Sequence, residues 1–316
     1  MSEEADQCFH DAIRLLESGA PHVLLADALR WKGTALRERG ETQEAAEIYR
    51  RSIEIARALQ ARESEAHALN CLAIVAQRRG DFHSADMLYD RAVDLAEAAD
   101  DQPLLGMICQ NRGIMAQIRG QLDGALDCYE EALAAFEAAE NDEAVCSTLN
   151  NLGMLHVSKG RFTDAERAYE RGLVLAVHRE DRRMEGMLEL NRALLRLQQN
   201  RLDDAEGCCS QAYRIAATRG DFLNAAEALK CRALLERRRG DCAAAFATLK
   251  LAKSLAEDCE DALLCAEILR EMGQVCEAQG DRERAREAWR EARTGFVNLG
   301  AQADAVDVSA RLDSLS

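Results

Sequence analysis

The sequence predicts an all-α fold, a right-handed α-solenoid of about seven helical hairpins with a half-repeat helix at each end. Three observations carry that expectation: a period of 40 residues without slippage, small residues in fixed register inside each period, and a composition dominated by helix formers.

Self-similarity at a fixed period marks a stack of repeated supersecondary units. Gly40, Gly80, Gly120, Gly160, Asn200, Gly240 and Gly280 recur every 40 residues. A helix C-terminus needs glycine, or asparagine in its place, where the chain takes a left-handed backbone angle. Each therefore closes one helix, and a short turn opens the next. Five residues after each cap stands alanine: Ala45, Ala85, Ala125, Ala165, Ala205, Ala245 and Ala285. Four later comes Tyr49, Tyr89, Tyr129, Tyr169, Cys209, Leu249 or Trp289, and three beyond that Ser52, Ala92, Ala132, Gly172, Ala212, Ala252 or Ala292. Offsets of four and three share one helix face, so this series is the contact side of each second helix. In the first helix, seven before the cap, stand Gly33, Ala73, Gly113, Gly153, Ala193, Ala233 and Gly273. Glycine inside a helix costs about 1 kcal/mol against alanine, so the glycines here predict close backbone packing.

The ends follow the same scheme. Residues 2–18 align with second helices, Ala5 matching Ala45, Phe9 matching Tyr49 and Ala12-Ile13 matching Ser52-Ile53. Residues 302–315 read as a lone first helix with Val306, Val308, Leu312 and Leu315 as apolar contacts. Such half-repeats cap a stack whose inner units cannot bury their faces alone. With the seven repeats over 22–300, residues 1–316 read as one domain.

Asn150-Asn151-Leu152-Gly153, Gly160-Arg161-Phe162, Ala165, Tyr169 and Gly172-Leu173 resemble the small/large pattern of the tetratricopeptide repeat. The extended repeat is similar to those of kinesin light chains, Gα-binding scaffolds and bacterial peptide-sensing regulators. The resemblance implies a scaffold or adaptor that holds a peptide or helical segment of a partner in a groove lined by the first helices. It also implies a peptide-responsive sensor module as an alternative, and a further one is a self-assembling structural scaffold in which another copy covers the apolar groove.

The formal net charge of −16 argues against nucleic acid as a partner, since phosphate neutralisation needs a basic footprint. No stretch approaches the roughly 20 apolar residues that span a bilayer, and Met1-Ser2-Glu3-Glu4-Ala5-Asp6 is too acidic for a signal peptide. A cytoplasmic location and no membrane partner are expected. The 12 cysteines show no framework spacing and read as small core filler, with the vicinal Cys208-Cys209 as the pair of redox interest.

The free face of a first helix is a stripe at spacings of three and four. It is expected to comprise Arg30 and Arg37 in repeat one, Asn70 and Gln77 in two, Met107, Gln110, Ile114 and Gln117 in three, and Asn150, Met154 and Val157 in four. Repeat five adds Met187, Leu190, Leu194 and Leu197, repeat six Lys230, Leu234, Arg237 and Arg238, and repeat seven Arg270. The centre reads as apolar and the flanks as basic, so the expected partner segment has an apolar centre and acidic flanks. Asn70, Gln110 and Asn150 form a ladder whose amides could hold an extended backbone. Asn111, Asn151 and Asn191 are assigned instead to the turns between hairpins. No phosphate-binding loop or HExxH occurs, and His67 with Cys71 at i,i+4 is two ligands short of a zinc site. No cofactor, metal site or catalysis is expected.

Overall fold

A computed structural model of the chain describes residues 11–16, 19 and 22–315. Among these residues the secondary structure is helical throughout, with no strand. First helices are α1 (Val23–Glu38), α3 (Arg62–Arg78), α5 (Gln102–Ile118), α7 (Asp142–Ser158), α9 (Arg182–Gln198), α11 (Phe222–Arg238) and α13 (Ala262–Gln279). Second helices are α2 (Thr42–Ala58), α4 (Phe82–Ala98), α6 (Leu122–Ala138), α8 (Phe162–His178), α10 (Leu202–Arg219), α12 (Cys242–Asp258) and α14 (Arg282–Asn298), followed by α15 (Gln302–Ser314). The expected capping helix over 2–18 lies largely outside the described residues. Within it, residues 11–16 are helical and Ile13 is buried with Leu25 and Leu29.

The helices end as the cap glycines require. Gly40 has φ +84°, its N–H bonds the Arg37 carbonyl at 3.1 Å, and the Glu41 N–H reaches back to Leu36 at 3.0 Å. The second helices end the same way halfway through each period, two at Gly220 and Gly300 and five with Gln60, Asp100, Glu140, Glu180 and Glu260 at φ 52° to 56°. One residue after the left-handed position, Asp81, Asp101, Asn141, Asp181, Asp221, Asp241, Asp261 and Asp281 each accept the backbone N–H three residues on. These side chains satisfy donors that a helix start leaves free.

The residues divide into two compact units, Met1–Leu155 and His156–Ser316, with the boundary inside α7. In the first unit α1, α3 and α5 lie side by side, each paired with its second helix. Its core runs through Ala45, Tyr49, Ala85, Tyr89, Leu104 and Ile108. In the second, α9, α11 and α13 are neighbours in the same manner. Its core includes Ala245, Leu249, Ile268, Trp289 and Phe296. Val308 of α15 is buried, whereas Val306 points outward, contrary to its expected contact role.

The small residues of the first helices have a specific neighbour. A Cβ added to Gly33 would lie 2.7 Å from the Tyr49 ring, one on Gly113 2.6 Å from Tyr129, and one on Gly273 2.6 Å from Trp289. In these three hairpins the ring lies against the bare backbone of the first helix, whereas Tyr89 shares its core with Ala73 in the same register. The ring's polar edge is then satisfied four residues later: Tyr89 donates to Gln77 at 3.0 Å, Tyr129 to Gln117 at 3.1 Å, and Trp289 to Glu277 at 2.8 Å. A buried hydroxyl or indole N–H without such an acceptor would be costly.

Candidate partner-binding face

In the first unit the free face of the first helices is mixed. On α1, Arg30 stacks over Trp31 at 4.4 Å and lies 3.9 Å from Asp27, while the buried Nε of Arg30 and of Arg37 have no hydrogen-bond partner. On α3, Asn70 is 2% exposed and accepts a bond from Asn111 at 3.0 Å. Asn111 therefore ties α5 to α3, and its assignment to a turn is corrected. Burial, then the nearby Arg30, hold the His67 imidazole below its ordinary pKa.

On α5, Met107, Ile114 and Ile118 are exposed, Ile118 to 62%. Gln110 beside them donates to Ser147 of α7 at 3.2 Å, and Gln117 is held by Tyr129. Met154 on α7 is 44% exposed, and Asn150, one turn earlier, is buried with its amide 3.8 Å from the Met154 sulfur. Asn70 and Asn150 thus face protein. Burial closes two rungs of the expected amide ladder to a peptide backbone.

The second unit presents a different face. Leu197 is 4% exposed and shares a core cluster with Cys209 and Leu235, against which Leu190, Leu194 and Leu234 are packed. Leu197 is a core residue because Cys209 brings no ring to that level, and a leucine fills the space. Met187 and Val157 are half-buried. Three of the four cations expected to form a basic flank here already have carboxylate partners. Lys230 lies 2.8 Å from Glu227 and 2.5 Å from Glu267, Arg237 3.4 Å from Glu271, and Arg270 2.7 Å from Asp304. Arg238 donates to the Leu197 carbonyl at 2.7 Å. Burial raises the Glu271 pKa, opposed by Arg237, Arg270 and Lys230. This surface is an alternating charge lattice, and its basic character is cancelled locally.

The vicinal cysteines point apart. Cys208 contacts Arg196 at 2.8 Å, Cys209 donates to the Ala228 carbonyl at 3.1 Å, and burial pushes the Cys208 thiol up to about 12. A protonated thiol is a poor nucleophile. Every described cysteine is a free thiol. Among the described residues no cluster of three or more metal-ligating side chains occurs, and no helix is long and apolar enough to cross a membrane.

A family model described as a MalT-like TPR region matches residues 98–293, and tetratricopeptide-repeat models match residues 66–99 and 32–63. Among solved structures, the apo form of the quorum sensor NprR from B. thuringiensis aligns with a TM-score of 0.73 at 14% identity, over 92% of this chain and 81% of that one. The apo form of RapI aligns at 0.62 and 14% identity, over 81% and 92%. A tetratricopeptide repeat protein from Parabacteroides merdae aligns at 0.61 and 20% identity, over 90% and 98%. These likenesses establish shared fold. No curated protein matches the chain in sequence.

Proposed function

The chain belongs to the family of MalT-like tetratricopeptide-repeat regions, and from that premise we propose that it is a protein-interaction scaffold whose first-helix face receives a segment of a partner protein. The observation that carries this reading is the exposed apolar stripe of Met107, Ile114, Ile118 and Met154, set on helices whose opposite sides are buried. Apolar side chains aligned on one face mark an interaction surface, and methionines there adapt to the shape of what binds. The apolar part of the expected groove is accordingly assigned to α5 and α7. The paired cations of α11 and α13 give no reason to require acidic flanks opposite them.

The test is affinity capture with mass spectrometry, repeated with Ile118→Glu and Met154→Glu together. Loss of the captured partner at unchanged melting temperature is expected; undiminished capture removes this face. Leu194→Glu would be a poor probe, because it places a charge against the core beside Leu197. A second reading, a ligand-responsive sensor module, draws on the shared fold with the quorum sensor NprR. A change in radius of gyration on adding the captured segment would favour it over a passive scaffold.

A further inference from the structure

The seams between successive hairpins carry a second register, distinct from the face just described. Across the seam of hairpins two and three, Asp86 pairs with Arg119 at 2.8 Å, 33 residues on, and Asp90 with Arg112 at 3.0 Å, 22 residues on. The second unit has each clip once, in separate seams. Glu206 pairs with Arg239 at 2.8 Å, again 33 on, while Glu170 lies 3.9 Å from Arg192, again 22 on.

In the first seam both clips are missing. The 33-residue offset joins Ala46 to Arg79, and the 22-residue offset joins Arg50 to Leu72. One acid has become alanine, the other arginine, and one facing arginine has become leucine. A cavity of about 400 Å³ opens there, floored by Ala46, Leu72, Val75 and Leu88, with Met87 at its rim. Met87 is 63% exposed. Arg50 and Arg79 border it, and among the described residues neither guanidinium has an ion pair or hydrogen bond. The carboxylate of Asp81, also at the edge, is engaged by the Ser84 N–H at 3.1 Å. The matching seam of hairpins six and seven, about 580 Å³, balances its charge internally: Lys250 sits over Phe246 at 5.5 Å, and Lys253 pairs with Glu257 at 2.8 Å.

We propose that the first seam is a docking site for an acidic, apolar segment of a partner protein. The partner's carboxylate takes the place of the missing acid beside Arg79 and Arg50, and its adjacent aliphatic side chain covers Met87 and Leu88. A contact in which both groups are ionised is stronger than one from arginine to a neutral amide, and adds bidentate geometry.

The experiment uses the full chain with methyl-labelled methionine and two probes. One is an acetylated, amidated pentapeptide with a single glutamate among leucines; the other is its glutamine counterpart. The glutamate peptide is expected to shift the Met87 methyl resonance saturably and to bind about tenfold more tightly than the glutamine peptide, the order of one charge-assisted contact. Ala46→Glu, which restores the sister clip, is expected to abolish the difference, as is Arg79→Gln, which leaves the floor intact. An unshifted Met87 methyl, equal binding of the two peptides, or undiminished glutamate preference in Arg79→Gln overturns the proposal. Ile118→Glu leaves this readout unchanged, so failure here and failure of the first-helix face are separately visible.

Discussion

Helices α5 and α11 occupy the same place in their hairpins, 120 residues apart, and use it in opposite ways. Position for position, α5 carries Met107, Gln110, Gly113, Ile114, Gln117 and Ile118, where α11 carries Glu227, Lys230, Ala233, Leu234, Arg237 and Arg238. The first set leaves its apolar side chains in solvent and ties its amides to Ser147 and Tyr129. The second closes on itself, each cation meeting a carboxylate or a carbonyl of its own or the adjacent first helix. One backbone register thus supports an open surface and a self-satisfied one. The charge on a single helix does not disclose the charge of a face that two helices build.

The sharpest way to break the comparison is at the small residue under each second helix. Gly113→Ala drives a Cβ to 2.6 Å from a Tyr129 ring that is itself buried and hydrogen-bonded, and is expected to cost about 3 kcal/mol in chemical denaturation. Its counterpart Ala233→Gly, facing Leu249, is expected to cost only about 1 kcal/mol. Next, Glu271→Gln leaves Arg237 half-buried without its anion and is expected to cost about 2 kcal/mol. The melting temperature of this variant should fall with little change on adding salt. Tyr129→Phe frees Gln117 and is expected to cost about 1 kcal/mol, with faster amide exchange confined to α5 and α6. The smallest effect belongs to Ile118→Glu, expected to stay within about 0.5 kcal/mol because the side chain stands in solvent.

Most of the fold was legible because its determinants are local. A cap glycine announces the end of a helix from within its own turn, and the small–large–small series names its face without reference to anything distant. The left-handed ends of most second helices are not legible in this way, since Glu140 and Glu180 are not residues that advertise a positive φ. The aspartates one position later were the available signal. The face was legible only in part, because burial there is decided by a helix 40 residues away. Asn70 reads as a free amide until Asn111 is placed against it, and Lys230 reads as a free cation until Glu267 is. Leu197 could have been foreseen. Where the second helix offers Tyr89 or Tyr129, the first offers glutamine at that level; where it offers Cys209, the first offers leucine.

That correspondence between ring, bare backbone and acceptor makes the two helices of a hairpin an inseparable set for recombination. A chimera that grafted α6 behind α11 would aim a phenol at Arg237 and lose the glutamine that accepts from it. Segments exchanged between repeats should therefore be cut at the turns that precede α5 or α11, so that each pair travels whole.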